Sequence, residues 1–214
     1  CGFHAGAPDV MAQTVALAEA KGVAIGAHPG FPDLGGFGRR KLDMTPAEVK
    51  NMVTYQVSAL MGFTKDHRLH HVKPHGALYN AAAKDLALAR AICEGVAQVD
   101  DQLPLYGLAG SQLLEAAKEV GLPAYSEVFA DRGYQADGSL VPRSQPKAVL
   151  TDPLAVAERA LSMVQTQSVT AVTGETVPLK VDTICVHGDN QAALALVDQL
   201  RQTFTANGIT IQAC

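Results

Sequence analysis

The sequence predicts an α/β protein built on a parallel sheet. Segments of helical periodicity alternate with short extended segments along the whole chain. The extended segments are apolar along their full length, as strands buried on both faces are. Polar residues recur at the C-terminal end of nearly every strand, where barrel active sites are built. This last feature favours a TIM-like barrel over an open sheet, although periodicity by itself decides neither.

Residues 8–21 read as a helix, with Pro8 in its first turn, Val10, Met11, Val15 and Ala18 on one face, and Gly22 where a left-handed cap belongs. A strand over 23–27 follows, then residues 28–40, too rich in glycine and proline for regular structure. Thr45-Pro46-Ala47-Glu48 combines a capping box with a first-turn proline. The helix it opens carries Met52, Val53, Gln56, Val57 and Leu60 inward and closes at Gly62. Residues 69–76 read as a short strand running into a turn, and 85–99 as a helix with Leu86, Ala89, Ile92, Cys93 and Val96 inward. The alternation continues with strand 103–108, helix 111–120 ending at Gly121, strand 124–129, an irregular loop over 130–147, and helix 152–164 opened by Asp152-Pro153. Residues 169–172 and 177–180 flank Thr173-Gly174-Glu175-Thr176 as a hairpin inserted before the last core strand, 182–186. A final helix over 190–206 points Leu194, Val197, Leu200 and Phe204 inward. Five core strands result, and residues 1–3 read as the tail of a sixth. No linker divides the chain, so a single domain over 1–214 is expected.

Composition narrows the function. The 214 residues are 48% hydrophobic and 18% charged, which fits a compact globular chain and excludes disorder and collagen-like repetition. Seventeen basic against 21 acidic residues leave a formal charge of −4, too little positive charge for a nucleic-acid binder. No apolar run approaches the roughly 20 residues needed to span a bilayer, and no signal segment opens the chain, so a cytosolic location and no membrane partner are expected. Cys1, Cys93, Cys185 and Cys214 lie far apart with no CxxC pair, and are expected to be reduced thiols. The chain opens directly in a motif-like stretch without methionine, so its beginning is expected to be missing.

Four histidines stand just past a strand and at or before a glycine: His4-Ala5-Gly6, His28-Pro29-Gly30, His75-Gly76 and His187-Gly188. In a parallel sheet all strand C-termini share one rim, so these imidazoles are expected to converge there with Lys73, Glu127, Asp131 and Asp189. Imidazole passes protons near neutrality, carboxylates orient it, and a lysine or arginine holds an anion. The glycines, Gly30 and Gly76 among them, let the backbone turn sharply and approach a ligand. His67, His70 and His71 precede or lie within their strand and read as solvent or bottom-face residues. Three histidines plus a carboxylate could hold zinc and activate a water. The spacing is not diagnostic, so metal ranks below acid–base and binding roles and no residue is assigned to it. Residues 33–40 look like a phosphate cradle but open no helix, which leaves a lid or a partner-contact loop. Arg132 and Arg143 frame the loop over 130–147 and could bind a carboxylate bidentately.

Six motifs, in order, resemble the LamB/YcsF family: Cys1-Gly2-Phe3-His4-Ala5-Gly6, Gly26-Ala27-His28-Pro29-Gly30, His71-Val72-Lys73-Pro74-His75-Gly76-Ala77-Leu78-Tyr79, Glu127-Val128-Phe129-Ala130-Asp131-Arg132, Leu140-Val141-Pro142-Arg143 and Ile184-Cys185-Val186-His187-Gly188-Asp189. The resemblance implies an irregular, seven-stranded TIM-like α/β barrel of the glycoside hydrolase/deacetylase kind. It lacks here a first strand and the acidic Asn-Cys-Asp-Leu-Gly-Glu type motif with which the family begins. It also implies one component of a cytosolic, multisubunit hydrolase. Together with 5-oxoprolinase subunits B and C, that component converts 5-oxo-L-proline, ATP and water into L-glutamate, ADP and phosphate.

A five-membered lactam is a resonance-stabilised amide, so water attacks it only if its oxygen is activated or the oxyanion stabilised. No phosphate loop occurs in this chain, so ATP is expected with or on the partner subunits. Under this reading Arg143 or Lys73 pairs with the substrate carboxylate, and Glu127, Arg132, Gly30 and Gly76 complete the binding site. Two of His4, His28, His75 and His187, oriented by Asp131 or Asp189, then move protons during ring opening. A stand-alone metal-dependent hydrolase or deacetylase and a non-catalytic carboxylate-binding protein are the competing readings.

Overall fold

The computed structural model describes residues 1–186 and 192–213 and divides into two compact units, Cys1–Tyr125 and Ser126–Cys214. The boundary falls inside a strand, which is why no linker marks it in the sequence. The first unit runs α1 (Pro8–Ala20), β1 (Gly26–Ala27), α2 (Pro46–Met61), β2 (His71–Val72), α3 (Gly76–Ala82), α4 (Leu86–Ala97), β3 (Leu105–Leu108) and α5 (Gln112–Val120). It ends in the first residues of β4 (Ala124–Phe129). The second unit continues from β4 through α6 (Pro153–Thr166), β5 (Ser168–Thr170), β6 (Thr176–Pro178), β7 (Thr183–Cys185) and α7 (Ala192–Ala206).

The fold is α/β with parallel strands. In the first unit Gly26 and Ala27 of β1 lie opposite His71 and Val72 of β2, and Val72 lies opposite Leu105 of β3. In the second, Glu127, Val128 and Phe129 of β4 face Thr183, Ile184 and Cys185 of β7. Strands β1, β2, β3, β4 and β7 are the five core strands expected. The antiparallel β5–β6 pair is the expected hairpin, with Val169 opposite Val177. Val72, Leu105 and Val128 are fully buried, as strands covered on both faces require.

Helices pack on one another around these strands. In the first unit α2 lies on α4 and α4 on α5. In the second, Val156, Ala157 and Ala160 of α6 meet Leu196, Leu200 and Phe204 of α7. The capping box at Thr45 forms as read: the Thr45 hydroxyl accepts from the Glu48 N–H while the Glu48 carboxylate accepts from the Thr45 N–H at 2.7 Å. Asp85 and Asp152 cap α4 and α6 through their side-chain carboxylates.

Several expectations are corrected. The strand over 23–27 shrinks to Gly26–Ala27, because Val23 donates its N–H to Ala18 O at 2.9 Å and belongs to the left-handed cap of α1. Residues 1–3 form no strand: the Gly2 N–H closes a turn onto Ala5 O. Strand 103–108 begins at Leu105, since Pro104 has no N–H to give a ladder. Helix α3 goes unseen in the sequence because it is seven residues long and its N-cap, His75, makes no capping bond. In α7 the inward stripe is Ala193, Leu196, Leu200 and Phe204, and Leu194 is 75% exposed.

Candidate active site

The β1–β2 ladder continues past the ends of both strands. The Lys73 N–H donates to Ala27 O at 2.9 Å, and the His75 N–H to Pro29 O at 2.8 Å. This register carries His28 and His75 side by side at the strand C-termini. His4 joins them from the loop before α1, held there by Phe3, whose ring stacks on Tyr55 of α2 at 5.3 Å. The His4 and His75 rings lie parallel, 3.8 Å apart, and His28 meets His75 edge-on at 4.8 Å. One ring nitrogen from each of the three lies within 4.8 Å of the others. Three of the four rim histidines are thus gathered in one place. His187, with Gly188 and Asp189, lies outside the described residues.

Hydrogen bonds fix the rings. His28 Nδ1 lies 2.6 Å from Lys73 O, His75 Nε2 lies 2.7 Å from Phe37 O, and His75 Nδ1 lies 3.0 Å from His28 Nε2. His4 Nδ1 is buried and has no hydrogen-bond partner among the described residues. Burial is the first cause that lowers all three pKa values below the usual imidazole range. His4 is held down to about 4, with His75 as a second cause. His28 lies well below the usual value, with the Lys73 ammonium next after burial. For His75, burial outweighs the opposing bond to Phe37 O. Burial therefore favours the neutral form of each ring.

Other contributors to the cluster are residues that the strand-end pattern does not single out. Gln56, fully buried in α2, accepts the Gly30 N–H at 3.0 Å and donates to Gly30 O at 2.9 Å, fastening the loop after β1. For Gln56 a signal is present in the sequence, since it is a polar residue on an otherwise apolar stripe. Residues 33–40, read as a lid or partner-contact loop, contribute to the cluster through the Phe37 carbonyl and the Phe37 ring, which meets His75 edge-on at 5.2 Å. Gly38 has φ +63°, and a Cβ there would stand 2.8 Å from His75 Cδ2 and 2.9 Å from His4 Cβ, so no side chain fits. The loop is braced by the buried Asp33 carboxylate. It accepts from the Arg40 guanidinium and from the Gly36 N–H at 2.9 Å, and is held down to about 2, the Arg40 bond first.

Lys73 lies in the first unit beside the cluster, with its ammonium 6.0 Å from the Tyr79 ring centre. Gly30 lies under His4, and Gly76 opens α3 directly after His75. Glu127, Asp131, Arg132 and Arg143 belong to the second unit. Glu127 and Asp131 are buried at the end of β4. Arg132 is bonded to backbone carbonyls. Its guanidinium donates to Ala148 O at 2.9 Å and to Val141 O at 2.6 Å, which ties the loop over 130–147 together and takes those donors away from any carboxylate. Arg143 is exposed. His67 is exposed, while His70 and His71 stand at the start of β2, where His71 stacks on Tyr106 at 4.2 Å.

Fold and site together define an α/β protein with a buried cluster of imidazoles at its strand C-termini. The sequence profile of the LamB/YcsF family matches residues 1–214, and the chain belongs to that family. It is 99% identical over its whole length to a protein of Limosilactobacillus fermentum named as the A subunit of 5-oxoprolinase, covering 86% of that protein. A relative of the same name from Bordetella parapertussis is 57% identical over the whole chain and 85% of its own length. Among solved structures, the lactam utilization protein of Thermus thermophilus superposes with a TM-score of 0.93 at 44% identity, over 100% of this chain and 86% of that one. Among the described residues, no helix is long and apolar enough to cross a membrane.

Proposed function

We propose that this chain is the A subunit of an ATP-dependent 5-oxoprolinase. With partner subunits B and C it opens the lactam of 5-oxo-L-proline to L-glutamate, and the nucleotide is handled wholly or partly by the partners. The observation that carries this reading is the gathering of His4, His28 and His75, next to Lys73, in a chain whose near-identical relative bears that name. Ring opening needs the carbonyl oxygen polarised and a proton delivered to the departing nitrogen. The clustered imidazoles are suited to these steps, and Lys73 offers a cation for the substrate carboxylate.

The test is glutamate production from 5-oxo-L-proline and ATP by this protein mixed with subunits B and C. His28→Ala and His75→Ala are each expected to abolish glutamate formation while the chain still folds. The exposed control His67→Asn is expected to retain it. Wild-type turnover in both alanine variants contradicts the assigned site.

A further inference from the structure

A carbonyl oxygen only accepts, so the 2.6 Å contact of His28 Nδ1 with Lys73 O and the 2.7 Å contact of His75 Nε2 with Phe37 O place each ring's proton on its outer nitrogen. In neutral rings the inner nitrogens, His28 Nε2 and His75 Nδ1, are then bare lone pairs, and they face each other at 3.0 Å. Two lone pairs at that distance repel unless a cation lies beside both. A proton can bridge two nitrogens but leaves the third ring of the cluster unused, whereas a metal ion takes a nitrogen from all three. The same arrangement, with each ring donating its outer N–H to a carbonyl and aiming its inner nitrogen at a common point, is how proteins orient metal-binding histidines. Ligands about 2.05 Å from a tetrahedral ion stand about 3.3 Å apart, close to the spacing seen here. His4 adds a third imidazole whose buried Nδ1 has no hydrogen-bond partner among the described residues.

We propose that His28 Nε2, His75 Nδ1 and the imidazole of His4 bind one divalent transition metal of the zinc or cobalt class. Three neutral imidazoles suit such ions, whereas magnesium and calcium take oxygen ligands. Three protein ligands leave a coordination position open. The proposal rests on the 5-oxoprolinase reading for the reaction the ion serves; there it polarises the lactam oxygen, and the rings hold it rather than relay protons. Binding itself requires neither substrate nor partner subunits, so the two readings fail separately. A metal lies in the plane of each ring that binds it, and His4 is stacked parallel to His75, so loading turns His4 out of that stack.

The experiment strips the purified protein with a chelator, titrates it with zinc chloride or cobalt(II) chloride, and measures bound metal by elemental analysis after desalting. The cobalt form is also read by its visible spectrum. The expected result is one metal per chain in the wild type and in His67→Asn. Affinity falls at least about tenfold in His28→Gln and His75→Gln. Zinc also shifts the His4 ring proton resonances as the stack opens. Stoichiometry is read on the unaltered protein, so a variant that fails to fold leaves the test standing. Substoichiometric binding by the wild type overturns the proposal. Full binding by both glutamine variants, folded by circular dichroism, does the same.

Discussion

At the residue scale, Gln56 shows how the cluster is held from behind. Its amide satisfies both backbone polar groups of Gly30, and Gly30 sits against His4 and His75. Gln56→Leu keeps the volume and removes both partners. Each buried unsatisfied group costs about 1–3 kcal/mol, so the variant is expected to lose about 2–6 kcal/mol in denaturant unfolding. A loss below about 1 kcal/mol would mean that water reaches Gly30 and that the loop is not fastened as described. His28 and His75 are legible in the sequence because each stands past a strand end close to a glycine, and His4 because it shares that glycine context although no strand precedes it. Phe37 and Gly38 are not, because one acts through a carbonyl and the other through a missing side chain. Neither contribution leaves a mark in residue type. The backbone bonds of Arg132 are hidden for a related reason: a guanidinium bound to backbone carbonyls and one free of them look alike in a sequence.

At the element scale, helices are the most legible part of the fold. The inward stripe of α2, from Met52 to Leu60, is buried as read, since a capping box, a first-turn proline and a regular apolar face all agree. Strands are located but overextended, because β1 and β2 are each only two residues long and their apolar flanks belong to caps and turns. The α2–α4 contact depends on closeness. A Cβ on Gly95 of α4 would lie 2.7 Å from Lys50 O and 3.1 Å from Val53 Cβ, and Gly95 O accepts the Thr54 hydroxyl at 3.0 Å. Gly95→Val is therefore expected to lower stability by about 1–3 kcal/mol through overpacking. Thermal or denaturant unfolding checks this, and an unchanged midpoint would show that the helices separate without cost.

At the scale of the whole molecule, parallel pairing does the assembling. His28 and His75 stand 47 positions apart in sequence, yet the ladder that bonds Lys73 to Ala27 and His75 to Pro29 sets their rings in contact. This convergence can be anticipated from the alternation of strand and helix alone. The tautomers on which the proposed metal site rests cannot, since they depend on which carbonyls the rings reach. The first unit also has a hollow of about 540 Å³ lined by Glu19, Ile25, Thr64, Lys65, Arg68 and His70. Lys65 and Arg68 on its wall make it the alternative place to look for a small acid. The most direct measurement is therefore a crystal structure of the protein soaked with 5-oxo-L-proline. The lactam is predicted to lie against the histidine cluster, with its carboxylate toward Lys73. A lactam seated in the hollow beside Lys65 and Arg68, with the three histidines untouched, would contradict the account.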